Sequence, residues 1–373
     1  MQIRQFSKGM FTMSLIITGL FFASCGGDDG SDNAMPPSNL TVSITPNPDT
    51  PGLIQVVATA TNASYYKFNF GDSPSIVQNS TGTIEHTYIS SGDFEVTVQA
   101  HSSESSFIST TRDVSITLPD PTELGYESPE SYDGYTLVWR DEFNGDALSD
   151  DWTYDIGDGC PDLCGWGNNE LEYYKSENTL VADGFLRITA KQESFGGKNY
   201  TSSKIITKDA QTFQYGRIDI RAVLPRGQGM WPALWMLGTN IDDVGWPSCG
   251  EIDIMEMVGG GAGKDNTVHG TVHWDNNGNY ANYGGEVSLS SGVFADQFHV
   301  FSITWDETFI RWYLDGVEYH VIDISPSGLS ELKGEFYMIF NVAVGGNWPG
   351  SPNASTQFPQ EMIVDYVRYF QAN

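Results

Sequence analysis

The chain has 373 residues, with 48 acids against 18 bases and a formal net charge of −30. Such a surface repels nucleic acid and anionic lipid headgroups, but not a neutral polymer. With 13% aromatic and only 18% charged residues the acidity is not that of a disordered chain, and the length allows one large domain or two.

At the N-terminus, Arg4 and Lys8 give a basic start before the apolar stretch MFTMSLIITGLFFAS, 10–24. The stretch is too short for a comfortable membrane span, so 1–24 reads as an export signal. It ends in FFASC, which resembles the lipobox of bacterial lipoproteins with Cys25 as the lipidated residue. Phe22 departs from the smaller aliphatic residue usual there, and an ordinary signal peptide with an incidental cysteine is the alternative reading. Residues 25–37, CGGDDGSDNAMPP, form a polar flexible tether. Acids directly after the cysteine resemble the surface-export signal of Bacteroidetes lipoproteins. The resemblance implies an exported protein, anchored by lipid to the bacterial outer membrane at the cell surface, with no other membrane contact.

Residues 38–119 alternate in runs such as FEVTVQA (94–100) and VSITL (114–118), as a small β-sandwich does. Phe70, Gly71 and Asp72 in KFNFGDS, with His86, Tyr88, Gly92 and Phe94 in EHTYISSGDFEVTV, resemble the immunoglobulin-like PKD domain. That resemblance implies a spacer, or in the sharper alternative a glycan-binding module. PDPTELGYESPESYDGY, 119–135, carries three prolines and marks a linker, placed at 120–133.

From 134 to 373 the chain reads as one all-β domain. FLRITAKQ, YGRIDIRAVL, PALWML, EIDIME, NTVHGTVHW, HVFSITWD, FYMIFNVAV and MIVDYVRYF are strand-like, and FIRWYLDGVEYHV is a hairpin turning at Asp315–Gly316. Helical periodicity is confined to a short stretch near 327–333. A domain of this size predicts two large packed sheets rather than a small barrel. Cys160 and Cys164 are close enough to close a small loop, which leaves Cys249 over; three cysteines do not make a Cys-only zinc site.

GEIDIMEMVG, 250–259, sets Glu251 and Asp253 on one face of a strand, with Glu256 one residue out of register. A regular strand would turn Glu256 into the layer of Ile252 and Ile254, where an unpaired carboxylate costs several kcal/mol. One extra residue at a β-bulge returns it to the face of the other two acids. One carboxyl can then stay protonated while another ionises, the division that retaining glycoside hydrolysis needs across about 5–5.5 Å. Spacing alone leaves a calcium site or a solvated acidic face equally open.

GEIDIMEMVG also matches the bulged active-site motif of glycoside hydrolase family 16, in the form typical of its laminarinase-like branch. LVWRDEFNG, WGNNELEYY, YGRIDIRAVLPRGQGMWPALWML, GTVHW, FSITWD, IRWYLDG and AVGGNWPG extend the resemblance over nearly all of 134–373. It implies a β-jelly-roll sandwich with a concave cleft, Glu251 as nucleophile, Glu256 as general acid/base and Asp253 tuning both. Trp231 and Trp235, core residues on pattern alone, become cleft residues, although Pro232 between them suggests an edge strand or a bulge. His273, Asn168, Glu170, Asn347 and Trp348 match substrate-contacting positions. His269 reads as a structural histidine and Arg226 as a structural residue at the rim. Lys204 stands where the family often has arginine, which puts sugar contacts there in doubt. Many members hold one structural calcium, whose matching positions are Glu142, Gly184 and Asp365; no organic cofactor is implied.

The expected function is therefore endo-hydrolysis of β-1,3-glucan, with β-glucan as the partner and a monomeric state. Mixed-linkage β-1,3-1,4-glucan or a galactan is the rival substrate. A glucan-binding lipoprotein without activity, or an adhesin acting through 38–119, is the rival class.

Overall fold

The structure is a computed structural model describing residues 35–48, 50–260 and 264–373. The expected export signal and Cys25 lie outside the described residues.

Two β-sandwiches follow one another. In the first, a three-stranded sheet (Ser38–Pro46, Leu53–Thr61, Thr83–Thr87) faces a four-stranded one (Tyr65–Asn69, Val77–Asn79, Gly92–Ser103, Ser106–Ile116). Alternation aims Ile54, Val56, Phe68, Val96 and Val98 into a core where each is fully buried. His86 stacks on Phe70 with centroids 3.9 Å apart and lies 2.7 Å from Asp72 Oδ2, while Tyr88 donates its hydroxyl proton to the Phe70 carbonyl.

The segment after it lies along the second sandwich. The Tyr126 N–H donates to the Phe298 carbonyl, Arg221 Nε donates to the Tyr126 carbonyl, and the Ser128 N–H donates to the Tyr366 hydroxyl oxygen. Tyr132 donates to Asp219 Oδ2. These bonds give the backbone of 126–128 partners on the sandwich surface, so this part of the linker is a packed strap.

The second sandwich has an eight-stranded and a seven-stranded sheet, every pair antiparallel. The outer sheet is centred on Gly216–Val223, between Gln360–Ala372 and His299–Trp305. The inner sheet runs in the order Tyr280–Ser288, Thr267–Asp275, Glu251–Met257, Met230–Gly238, Phe336–Val344, Lys204–Ile206, Thr153–Tyr154. Between the sheets lies one apolar core, including Ile218, Ile220, Met236, Ile252, Met255, Val272, Trp312 and Phe340. The predicted hairpin turns at Asp315–Gly316, and 327–333 forms a 3-10 turn rather than a full helix. A four-residue helix, Ile241–Val244, carries no signal in the sequence pattern.

Pro232 departs from the sequence expectation. Its strand is central, not an edge. The strand pairs with Glu251–Met257 only from Ala233 to Leu237, so Pro232 falls just outside that ladder and its missing N–H breaks no bond there.

Candidate active site

The free face of the seven-stranded sheet is the wall of a cleft of about 1040 Å³. Glu251, Asp253 and Glu256 all line it. The bulge is present. Trp235 pairs with Asp253 and Leu234 with Met255, so Ile254 is the extra residue, and the register against Thr267–Asp275 shifts at the same place. Ile252, Ile254 and Met255 all turn into the core. Two consecutive inward residues reset the alternation, which brings Glu256 back to the cleft.

A bulge frees backbone groups from the ladder, and those groups need partners. The Asp253 carbonyl finds one across the sandwich, where buried Trp312 donates its indole N–H at 2.8 Å. The Trp312 ring lies over Gly270 on the adjacent strand, where a Cβ would sit 2.4 Å from Trp312 Cδ1. Glycine is therefore required at 270 by close approach.

The flanking acids are held alike. Trp246 Nε1 donates to Glu251 Oε2 at 2.8 Å, and Trp231 Nε1 donates to Glu256 Oε1 at 3.0 Å. Between them Asp253 is buried, with His273 Nε2 at 3.0 Å from its Oδ2 and 3.6 Å from Glu251 Oε1. The other nitrogen of His273 meets the Tyr280 hydroxyl at 2.8 Å. Burial pushes all three carboxyls up to about 8. Repulsion from Asp253 adds to the rise at Glu251 and Glu256, and the two indole N–H bonds oppose it. Buried like charges this close lose their protons stepwise, so the cluster can keep one acid and one anion together.

The rest of the cleft both meets and departs from the sequence expectations. Trp231, Ala233 and Trp235 line one wall, and Asn168, Glu170, Lys204 and Trp348 line it too. Trp348 is 45% exposed and meets Trp231 edge to face at 5.7 Å. Lys204 Nζ sits 4.0 Å over Trp166 and 3.1 Å from Asp155 Oδ2. Asn347 is not on the cleft wall: its Oδ1 accepts from Asn169 Nδ2 and its N–H donates to the Asn168 carbonyl, bracing two loops. His269 is not a purely structural histidine. It pairs opposite Glu256, lines the cleft and packs on Trp348 at 4.9 Å. Arg226 donates to the Ile89 carbonyl of the first sandwich, at 2.9 Å.

Sequence reading missed Trp246, Tyr280, Trp166, Tyr174 and Asn341, all on the wall. Trp166 and Tyr174 open and close WGNNELEYY, the stretch that already supplied Asn168 and Glu170, whereas Trp246, five residues before Glu251 in GWPSCGE, belongs to no matched stretch. Cys160 and Cys164 form a disulfide in the loop leading to this wall, and Cys249 is buried and free.

Glu142, Gly184 and Asp365 are not a bare carboxylate site. Arg368 forks onto Glu142 at 2.8 and 2.9 Å, and Arg221 donates to Asp365 Oδ2 at 2.6 Å. Gly184 turns close to Asn144, two residues beyond Glu142. Among the described residues the one close group of metal-competent side chains is Glu251, Asp253 and His273.

The model of the family described as "Glycosyl hydrolases family 16" matches residues 166–368, and that of "Beta-glucan synthesis-associated protein SKN1/KRE6/Sbg1" matches 52–251. The clotting factor G alpha subunit of Tachypleus tridentatus is 39% identical over 240 residues (64% of this chain), and the glucan endo-1,3-beta-glucosidase A1 of Niallia circulans 38% over 276 (66%). The chain spans only 34% and 39% of the length of these two relatives. It spans 89% of the beta-glucanase of Rhodothermus marinus, at 37% identity over 267 residues (66% of this chain). Among solved structures, the catalytic domain of an endo-1,3-beta-glucanase (laminarinase) from Thermotoga petrophila is 43% identical, with a TM-score of 0.59, over 64% of this chain and 98% of that one.

Proposed function

Because the chain belongs to glycosyl hydrolase family 16, we propose that it is an endo-acting, retaining β-glucanase that cuts β-1,3-glucosidic bonds in laminarin-type glucans. One observation carries the reading: the bulged strand sets Glu251 and Glu256 on one cleft wall with Asp253 between them, each outer acid held by an indole N–H on one oxygen.

Glu251 is the nucleophile. The Trp246 N–H and the imidazole 3.6 Å away both favour its anion. Glu256 is the acid by its match to the family motif; burial and repulsion from Asp253 and Glu170 favour its proton, against the Trp231 N–H and the His273 imidazole. Glu256 gives that proton to the glycosidic oxygen as Glu251 attacks the anomeric carbon, breaking the glycosidic bond and forming a glycosyl ester. Glu256, now an anion, takes a proton from water, whose oxygen attacks the same carbon. The sugar leaves, with Glu251 again a carboxylate and Glu256 again an acid. Trp231, Trp235 and Trp348 offer flat apolar faces to pyranose rings.

The test is a product profile on laminarin, lichenan and an agar-type galactan. Short oligosaccharides released early from laminarin, and none from E251Q or E256Q, are expected. Release from lichenan alone would assign mixed-linkage glucan. Tight binding with no reducing ends from any of the three would make the protein a glucan-binding lipoprotein.

The same reading puts the protein outside the cell as a monomer. Cys25 in FFASC is the lipid anchor, and 38–119 is a PKD-like spacer between membrane and cleft. Labelling by a fatty-acid analogue, lost in C25A, tests the anchor. A structural calcium would draw on the carbonyls of Glu142 and Gly184 and the Asp365 oxygen not bound by Arg221. A chelator should then lower Tm, with calcium restoring it, and an unchanged Tm removes the ion.

A further inference from the structure

Glu172 is a carboxyl placed where an anion has no support. It is fully buried, on the short strand Glu172–Tyr174. Its Oε2 accepts the Val344 N–H at 2.6 Å, while its Oε1 is buried with no donor. The nearby cations are turned elsewhere: Lys175 to Glu193, Lys198 to Asp158 and Lys204 to Asp155. An uncompensated anion in such a place is strongly disfavoured, and a neutral acid is not.

Its neighbour on the same face is Glu170, on the cleft wall. Here every proton direction is fixed. The Trp235 indole N–H donates to Asn341 Oδ1 at 2.8 Å, and the Asn341 amide donates to the Tyr174 oxygen at 3.1 Å. The Tyr174 hydroxyl then donates to Glu170 Oε2 at 3.1 Å, and the Asn168 amide donates to Glu170 Oε1 at 3.2 Å. An indole nitrogen can only donate, so the chain runs one way and ends on Glu170 as an acceptor. The Glu172 carboxyl is within hydrogen-bonding reach of Glu170. As an anion Glu172 leaves its Oε1 orphaned; as an acid it donates to Glu170 and the orphan disappears.

We infer that Glu172 is a neutral carboxylic acid at working pH, a positioning residue whose O–H holds Glu170 as a fixed anionic acceptor for a sugar hydroxyl on the cleft wall. The sugar rests on the glucanase reading; the proton's location does not. The charged and titratable groups facing the pair are Tyr174, Lys198, Lys204 and, across the cleft wall, Glu256. Burial raises both members of the pair; on Glu170 four contacts, with Glu172 first among them, oppose that rise without reversing it. The anion on Glu170 in turn favours the proton on Glu256.

The experiment compares E172Q with E172M. Glutamine keeps an acceptor for Val344 and gives Glu170 an N–H, so E172Q should keep KM within about twofold. Methionine keeps the volume and gives no donor, so E172M should raise KM by about tenfold, the scale of one hydrogen bond to a charged group. The alkaline limb of its kcat/KM profile should move to lower pH, because Glu170 then picks up a proton and no longer supports the one on Glu256. Two readouts need no activity. Infrared spectra should show a protonated carboxyl at neutral pH that E172Q lacks. A carboxyl held neutral stabilises most below its ordinary value of 4.5 and loses that stabilisation as pH rises. E172Q should therefore gain Tm relative to the parent between pH 5 and 8. A glycosidase failure would abolish sugar release in the parent as well and leave these two signals intact. An infrared band unchanged in E172Q, or E172Q as impaired as E172M, overturns the inference.

Discussion

The two indole N–H groups at Glu251 and Glu256 are equivalent in geometry and opposite in consequence. Each lowers the proton affinity of the oxygen it meets, against burial that raises it. Replacing Trp246 with phenylalanine should let Glu251 hold its proton to higher pH, so the acid limb of kcat/KM moves up. Replacing Trp231 with phenylalanine should let Glu256 hold its proton longer, so the alkaline limb moves up instead. Each shift should be about 1–2 pH units, the worth of a single hydrogen bond to a carboxylate. A pH profile of each variant checks this, and a shift on the same limb in both would reverse one of the assigned roles. Of these residues, Glu251, Asp253 and Glu256 were legible because the cost of burying Glu256 points to a bulge, and the match to the family motif implies the acids' roles. Trp246 was not, because its approach to Glu251 depends on how the 241–250 turn folds back over the strand.

For the strand, the bulge is the element that decides. Its carbonyl partner, Trp312, comes from the opposite sheet and rests on Gly270. W312F keeps most of the ring and loses the N–H. It should cost about 1–3 kcal/mol by leaving a buried carbonyl unpaired, with a larger fall in kcat than a surface variant of equal stability, measured by urea melts beside kinetics. Exchanging the last two side chains, M255E with E256M, should leave the protein inactive and several kcal/mol less stable, because the acid then faces the core. Deleting Met255 removes the bulge and the parity offset together, so Glu256 should keep its place on the cleft face and some hydrolysis should survive. The exchange variant retaining activity would show that the bulge is not what aims the acid. The strand and its irregularity were legible from three acids and two isoleucines. The Asn347 loop was not: its sequence marks it as a contact with sugar, yet its side chain is spent on Asn169.

At the scale of the molecule, no described residue of the first sandwich lines the cleft. Among the described residues, two side-chain hydrogen bonds join it to the second sandwich, Arg226 to the Ile89 carbonyl and Gln357 to Asp72 Oδ2 at 3.4 Å. Removing 35–119 should leave kcat/KM on soluble glucan within about twofold while lowering Tm by a few degrees, measured by reducing-sugar release and calorimetry. A tenfold loss would make the first sandwich part of the substrate path.

The sequence by itself determined the all-β class, most of the long strands and the strand that carries the three acids, because alternation and turn chemistry are local and survive without a partner; Tyr280–Ser288 carried no such signal. Only the tertiary structure decided which indole meets which carboxyl, that His269 faces the cleft while Asn347 does not, and that Glu172 lies buried beside Glu170. Those facts depend on how distant parts of the chain pack around each group, as Val344 does on Glu172 and Trp348 on His269, and no local pattern encodes where a distant segment comes to rest.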